Sequence, residues 1–115
     1  MRDRKALRER YLRDGLPVRL GGVAANLARI TALSGYVTSR GVVESLLDES
    51  RFLIEWTAGD AGIDTAAELV ELQVQLARWQ YNLGRLWTSA AQRGAMAEQA
   101  HAWSERVLEM SGLLG

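Results

Sequence analysis

The sequence predicts an all-α fold: an antiparallel up-and-down bundle of four main helices with a short N-terminal helical arm, in one domain covering residues 1–115. Three observations carry that expectation. Strong helix formers (Ala, Leu, Arg, Glu and Gln) dominate the long segments, β-branched runs are few, and Pro17 is the single proline. Apolar residues recur at spacings of three and four in four separate stretches. The links between those stretches are short, and short links make neighbouring helices antiparallel. At 115 residues, 48% hydrophobic and 24% charged, the chain has enough apolar surface for one core and too little charge for disorder.

The arm comes first, as residues 1–15. Leu7 and Tyr11 stand one turn apart on it, and Gly15 reads as its stop. Its apolar face is thin, so it is expected to dock on something larger. The first main helix is expected over 17–34, with Pro17 in its first turn and Leu20, Val23, Ala24, Leu27, Ile30 and Thr31 on one face. The second is expected over 40–57: Val43, Leu46, Leu47, Ser50, Leu53 and Ile54 lie on one side, with Glu44, Asp48, Arg51 and Glu55 opposite.

After a Gly59, Asp60, Gly62 loop, the third main helix is expected over 64–87, capped by Asp60 or Asp64. Leu69, Leu72, Leu76, Trp79, Leu83 and Leu86 form a heptad seam along it, and a second stripe of Val70, Val74, Ala77 and Tyr81 lies on the far side. The last is expected over 89–111 with Ser89 as a cap and Gly94 as a rival starting point. Met96, Ala100, Trp103, Val107 and Met110 form its seam, and Gly112 with Leu113 reads as its stop.

Wording in LLDESRFLIEWTA, AELVELQVQLARWQ and WSERVLEMSGLLG resembles small uncharacterised helical proteins of photosynthetic bacteria, over most of the chain after Pro17. The resemblance implies a cytoplasmic helical protein and names no chemistry.

The absence of cysteine excludes disulfides, thiolate zinc sites and thiol catalysis. Residues 1–10 are charged rather than a basic stretch leading into an apolar run, and no stretch approaches the roughly 20 apolar residues of a membrane span, so the expected location is the cytoplasm. Net charge is zero but unevenly distributed: Arg2, Arg4, Lys5, Arg8, Arg10 and Arg13 make the arm a candidate basic surface, while acidic residues gather between Glu44 and Glu71. The first reading of this pattern is mutual neutralisation, and nucleic-acid binding by the arm is the weaker alternative.

Chemistry-bearing patterns are sparse. Glu98 and His101 form an E-x-x-H and Glu68 and Glu71 an E-x-x-E, the vocabulary of di-metal bundles. At 100° per residue, though, Glu98 and His101 stand roughly 200° and 140° around from Met96, and His101 is the sole histidine, so no metal or other cofactor is expected. Glu44, Asp48 and Glu55 read as a solvated face. The serines at 34, 39, 45, 50, 89, 104 and 111 read mostly as caps and surface residues, with no histidine placed to activate any of them. Gly21, Ala25, Ala28 and Ala32 form a small-residue stripe suited to a tight helix crossing, inside the bundle first and between subunits second.

Phe52 and Trp56 are displaced by roughly 110° to 150° from the apolar face of their helix, so either the arm covers them or they form a surface patch. With Val70, Val74, Ala77 and Tyr81 they make the candidate interface, more apolar surface than a monomer of this size needs. The functional expectation is a non-catalytic structural or interaction protein, a homo-oligomer with a dimer favoured. A nucleic-acid-binding module and a small-ligand carrier with an inter-helix pocket are the alternatives.

Overall fold

The computed structural model describes residues 3–114, and every regular element among them is helical. The order is α1 (Arg4–Leu12), α2 (Leu16–Leu33), a 3-10 turn (Val37–Ser39), α3 (Arg40–Ala58), α4 (Ile63–Trp87) and α5 (Ala90–Ser111). Helices α2 to α5 form the bundle: α2 packs on α3 and α5, α4 packs on α3 and more loosely on α5, and α1 lies against α3. Paired cross-links run in opposite sense along the neighbouring helices, Ala24 to Ser104 and Thr31 to Ala97 between α2 and α5, and Asp48 to Gln80 and Arg51 to Gln73 between α3 and α4, which makes these neighbours antiparallel.

Local chemistry sets most boundaries. The Asp3 carboxylate accepts hydrogen bonds from the Lys5 and Ala6 amides, two of the donors that a helix start leaves without partners. Pro17, which lacks an amide hydrogen, sits in the first turn of α2, where none is needed. The Ser89 hydroxyl accepts from the Gln92 amide, so α5 begins at Ala90 and runs straight through Gly94. Gly112 ends it at φ +75°, a left-handed conformation that suits glycine. Helix α4 departs from expectation at its start. Gly62 occupies the capping position, with no side-chain cap, and Asp60 instead pairs with Arg19 at 3.0 Å.

The core is continuous across α2 to α5. It takes Leu20, Val23, Leu27 and Ile30 from α2, Val43, Leu47 and Ile54 from α3, Leu69, Leu72 and Leu76 from α4, and Met96, Ala100 and Val107 from α5. The α4 seam holds from Leu69 to Leu83, but in the last turn Trp87 is buried and Leu86 only half-buried. A straight helix drifts about 20° per heptad against a 3.5-residue seam, and the Val37 carbonyl accepts the Trp87 indole N–H at 2.8 Å, which removes the cost of burying it.

Two packing expectations are corrected. Ser34, Ser50, Ser104 and Ser111 are buried rather than on the surface, although Ser34 also stands at the C-cap of α2. Three of the four hydroxyls donate to a carbonyl: Ser34 to Ile30, Ser104 to Ala24 and Ser111 to Leu108, so each fills a small site without stranding a polar group. The tight helix crossing does not use the stripe of Gly21, Ala25, Ala28 and Ala32, because Ala25, Ala28 and Ala32 are exposed. Helix α5 instead packs along the Ala24–Thr31 line, where Ser104 reaches the Ala24 carbonyl at 2.8 Å and Thr31 donates to the Ala97 carbonyl at 3.2 Å. Gly21 serves a different neighbour: a Cβ there would stand 2.8 Å from Leu113 Cδ1, so its bare backbone makes room for the chain end that folds back past α5.

Candidate functional site

The six candidate interface residues separate into two groups. Phe52 and Trp56 are covered by α1. Their rings lie 5.8 Å apart, Tyr11 stands 6.1 Å from Trp56, and the Arg4 guanidinium sits 3.9 Å above the Phe52 ring, a cation–π contact. Arg4 also pairs with Asp48 at 3.2 Å. The arm therefore docks as a lid over the displaced aromatics of α3.

Tyr11 is its anchor. Its hydroxyl donates to the Arg19 carbonyl at 2.8 Å and lies 2.8 Å from Thr57 Oγ1. Burial raises its pKa above the ordinary 10.0, with the Thr57 hydrogen bond and the Arg19 charge opposing the shift. Tyr11→Phe loses these bonds and leaves the Arg19 carbonyl one donor short, so it should cost about 1–2 kcal/mol in a urea melt. The folded pKa lies above the unfolded one, so Tyr11 contributes full stability below pH 10 and loses it as the pH rises through the folded value. The phenylalanine variant should lack that part of the alkaline decline.

Arg19, in the first turn of α2, is 7% exposed and donates to the Trp56 carbonyl at 3.3 Å and to Asp60 at 3.0 Å. It ties the start of α2 to the end of α3 directly beneath the arm. Among the candidate basic residues, Arg2 lies outside the described residues, Arg4 is spent on Phe52 and Asp48, and Lys5, Arg8, Arg10 and Arg13 are exposed with Glu9 and Asp14 interspersed.

The second group is uncovered. Val70 is 57% exposed, Val74 47% and Tyr81 90%, with Ala77 half-buried between them. The line is longer than these four residues. Ile63, 89% exposed, and the exposed Ala67 extend it toward the N-terminus, giving 63, 67, 70, 74, 77 and 81, an unbroken alternation of four and three. At 100° per residue this line stands about 160° from the Leu69–Leu83 seam. Helix α4 thus carries two heptad seams back to back, one filled by its own bundle and one facing outward.

The remaining candidates are dispersed. Glu98 is exposed, and His101 is exposed with Nε2 2.8 Å from Glu105 Oε1. Glu68 accepts two hydrogen bonds from Arg106, each 2.7 Å, which separates it from Glu71. No group of three or more His, Asp or Glu side chains among the described residues is placed to hold a metal ion. Glu44 and Glu55 are exposed, whereas Asp48 accepts from Arg4 and Gln80, and Arg51 donates to Gln80 at 2.7 Å. An open groove of about 520 Å³ lies outside the four-helix core, between α1 and the α2–α3 pair, lined by Arg4, Leu7, Arg29, Val42, Asp48 and Phe52. No helix among the described residues is long and apolar enough to cross a membrane.

Comparison with protein-family models, with curated proteins and with solved structures finds no match for this chain. The geometry of α4 and of the arm is what a functional reading has to rest on.

Proposed function

We propose that this chain is a non-catalytic, cytoplasmic interaction protein whose working surface is the outward seam of α4, and that it operates as a homo-oligomer, with a dimer as the unit. One observation carries the reading: Ile63, Val70, Val74 and Tyr81 are exposed along a single ridge that extends for most of the longest helix. Apolar side chains scattered singly on a surface are ordinary, but a contiguous ridge at coiled-coil spacing is the form that a helix presents to a partner helix. The aromatics Phe52 and Trp56 belong to the interior of the protomer in this reading, because α1 already covers them.

The test is the solution mass before and after a charge is placed on the ridge. Light scattering at micromolar concentration should give about twice the 12.7 kDa chain mass for the native protein. Val74→Asp should give a monomer with unchanged helical circular dichroism, since Val74 lies on the face opposite the core. A native protein that remains monomeric at millimolar concentration would overturn the reading, and so would a Val74→Asp variant that remains a dimer.

A further inference from the structure

We infer that two copies pair through α4 in antiparallel orientation, about a two-fold axis near Gln75 and Leu76, with Asp64 and Glu71 of each copy facing Arg85 and Arg78 of the other. The inference rests on the ridge being a self-association surface and adds its orientation and register.

With Ala67, Val74 and Tyr81 as a and Ile63, Val70, Ala77 and Gly84 as d, the flanking e positions are Asp64, Glu71, Arg78 and Arg85. Two acids occupy the N-terminal half and two arginines the C-terminal half. The g positions are Ala66, Gln73 and Gln80, all uncharged, and both glutamines are turned to α3, with Gln73 donating to the Arg51 carbonyl at 3.1 Å and Gln80 to Asp48 at 3.3 Å. The e row lies on the opposite flank, toward α5, where Asp64, Glu71, Arg78 and Arg85 are all exposed.

Orientation follows from which positions meet. Parallel helices pair g with e of the partner, which would set uncharged residues against the e row and bring like halves of that row side by side. Antiparallel helices pair e with e. The self-complementary row then matches Glu71 with Arg78 and Asp64 with Arg85, twice each by symmetry, and like charges stay apart. The macrodipoles of the two helices also run in opposition in this arrangement.

The same register fills the seam. It sets Val70 against Tyr81 and Val74 against Ala77 of the partner, with Ala67 against Gly84 and Ile63 against Thr88 farther out. Each larger side chain meets a smaller one, and the small Ala67, Ala77 and Gly84 let the two backbones approach closely. Gly84 is exposed, and the Arg40 guanidinium of its own chain lies 3.3 Å from where a Cβ there would stand, so a larger side chain at this position would meet Arg40.

Cysteine scanning tests register, because the native chain has no cysteine. Val70→Cys and Tyr81→Cys chains, mixed and oxidised, should form a mixed disulfide. Tyr81→Cys alone should form none, since residues 81 of the two copies lie about 16 Å apart along the axis at 1.5 Å per residue, beyond the reach of a disulfide. Charge reversal tests the pairing: Glu71→Arg should weaken the dimer about tenfold or more, and Glu71→Arg combined with Arg78→Glu should restore it. A native dimer that Val74→Asp dissociates but that links Tyr81→Cys to itself would overturn the antiparallel pairing while leaving the ridge as the interface. An unchanged dimer constant for Glu71→Arg would do the same. A native monomer would overturn both.

Discussion

Replacing Leu83 with Ala should lower the free energy of unfolding by about 2–5 kcal/mol, enough to move a thermal midpoint by roughly 10 °C or more in a domain of this size. Leu83 is 2% exposed in the α4 seam, one turn from the buried Trp79 and one turn from the buried Trp87. Truncation removes apolar contact and leaves a void that rigid aromatic neighbours fill poorly. Tyr81, two residues earlier and on the opposite face of the helix, provides the control. Tyr81→Ala should leave the unfolding of the isolated protomer within about 0.5 kcal/mol of native, because it touches solvent rather than core. Urea denaturation of both changes in the Val74→Asp monomer measures the contrast. Equal effects at the two positions would mean that α4 is rotated from the orientation described.

Deleting residues 1–14 should have an effect of similar size through a different cause. Helix α1 has no fully buried residue of its own, yet it supplies the Tyr11 ring against Trp56, the Arg4 guanidinium over Phe52, and the Tyr11 hydroxyl to the Arg19 carbonyl and Thr57. Without it two large aromatics face water and the Arg19 carbonyl loses a donor. At about 1.5–3 kcal/mol for each large side chain fully uncovered, the partial uncovering of two should cost on the order of 3 kcal/mol. The truncated chain should bind a hydrophobic dye and aggregate on warming. A truncated chain that melts with the full-length protein and binds no dye would show that the arm contributes nothing to this face.

Much of the bundle was legible in the sequence because helical periodicity is local. The inward faces of α3 and α4 followed from spacing alone, since a residue at i, i+3 or i+4 shares a face whatever the helix packs against. The α5 start at Ser89 was legible for the same reason, a hydroxyl placed to accept from an amide three residues on. The outward seam was partly legible: Val70 to Tyr81 stood out, but Ile63 fell just before the expected helix start at 64 and Ala67 in its first turn, and the e-row charges acquired meaning only once the ridge was seen to be exposed.

What only the tertiary structure decided is how faces are shared among neighbours. Spacing placed Phe52 and Trp56 off the core, but whether they meet solvent or the arm depends on where Tyr11 and Arg4 arrive, across more than 40 residues of chain. The same holds for Ala24 rather than Ala25 at the α5 crossing, for Trp87 rather than Leu86 at the end of the seam, and for Asp60 paired with Arg19 rather than capping α4. By itself the sequence determined the helices, their polarity and the apolar stripe that each must bury. The choice among adjacent stripes lay with long-range contacts, because positions one residue apart differ by only 100° around a helix, and a neighbour's carbonyl, ring or guanidinium decides which of them goes inside.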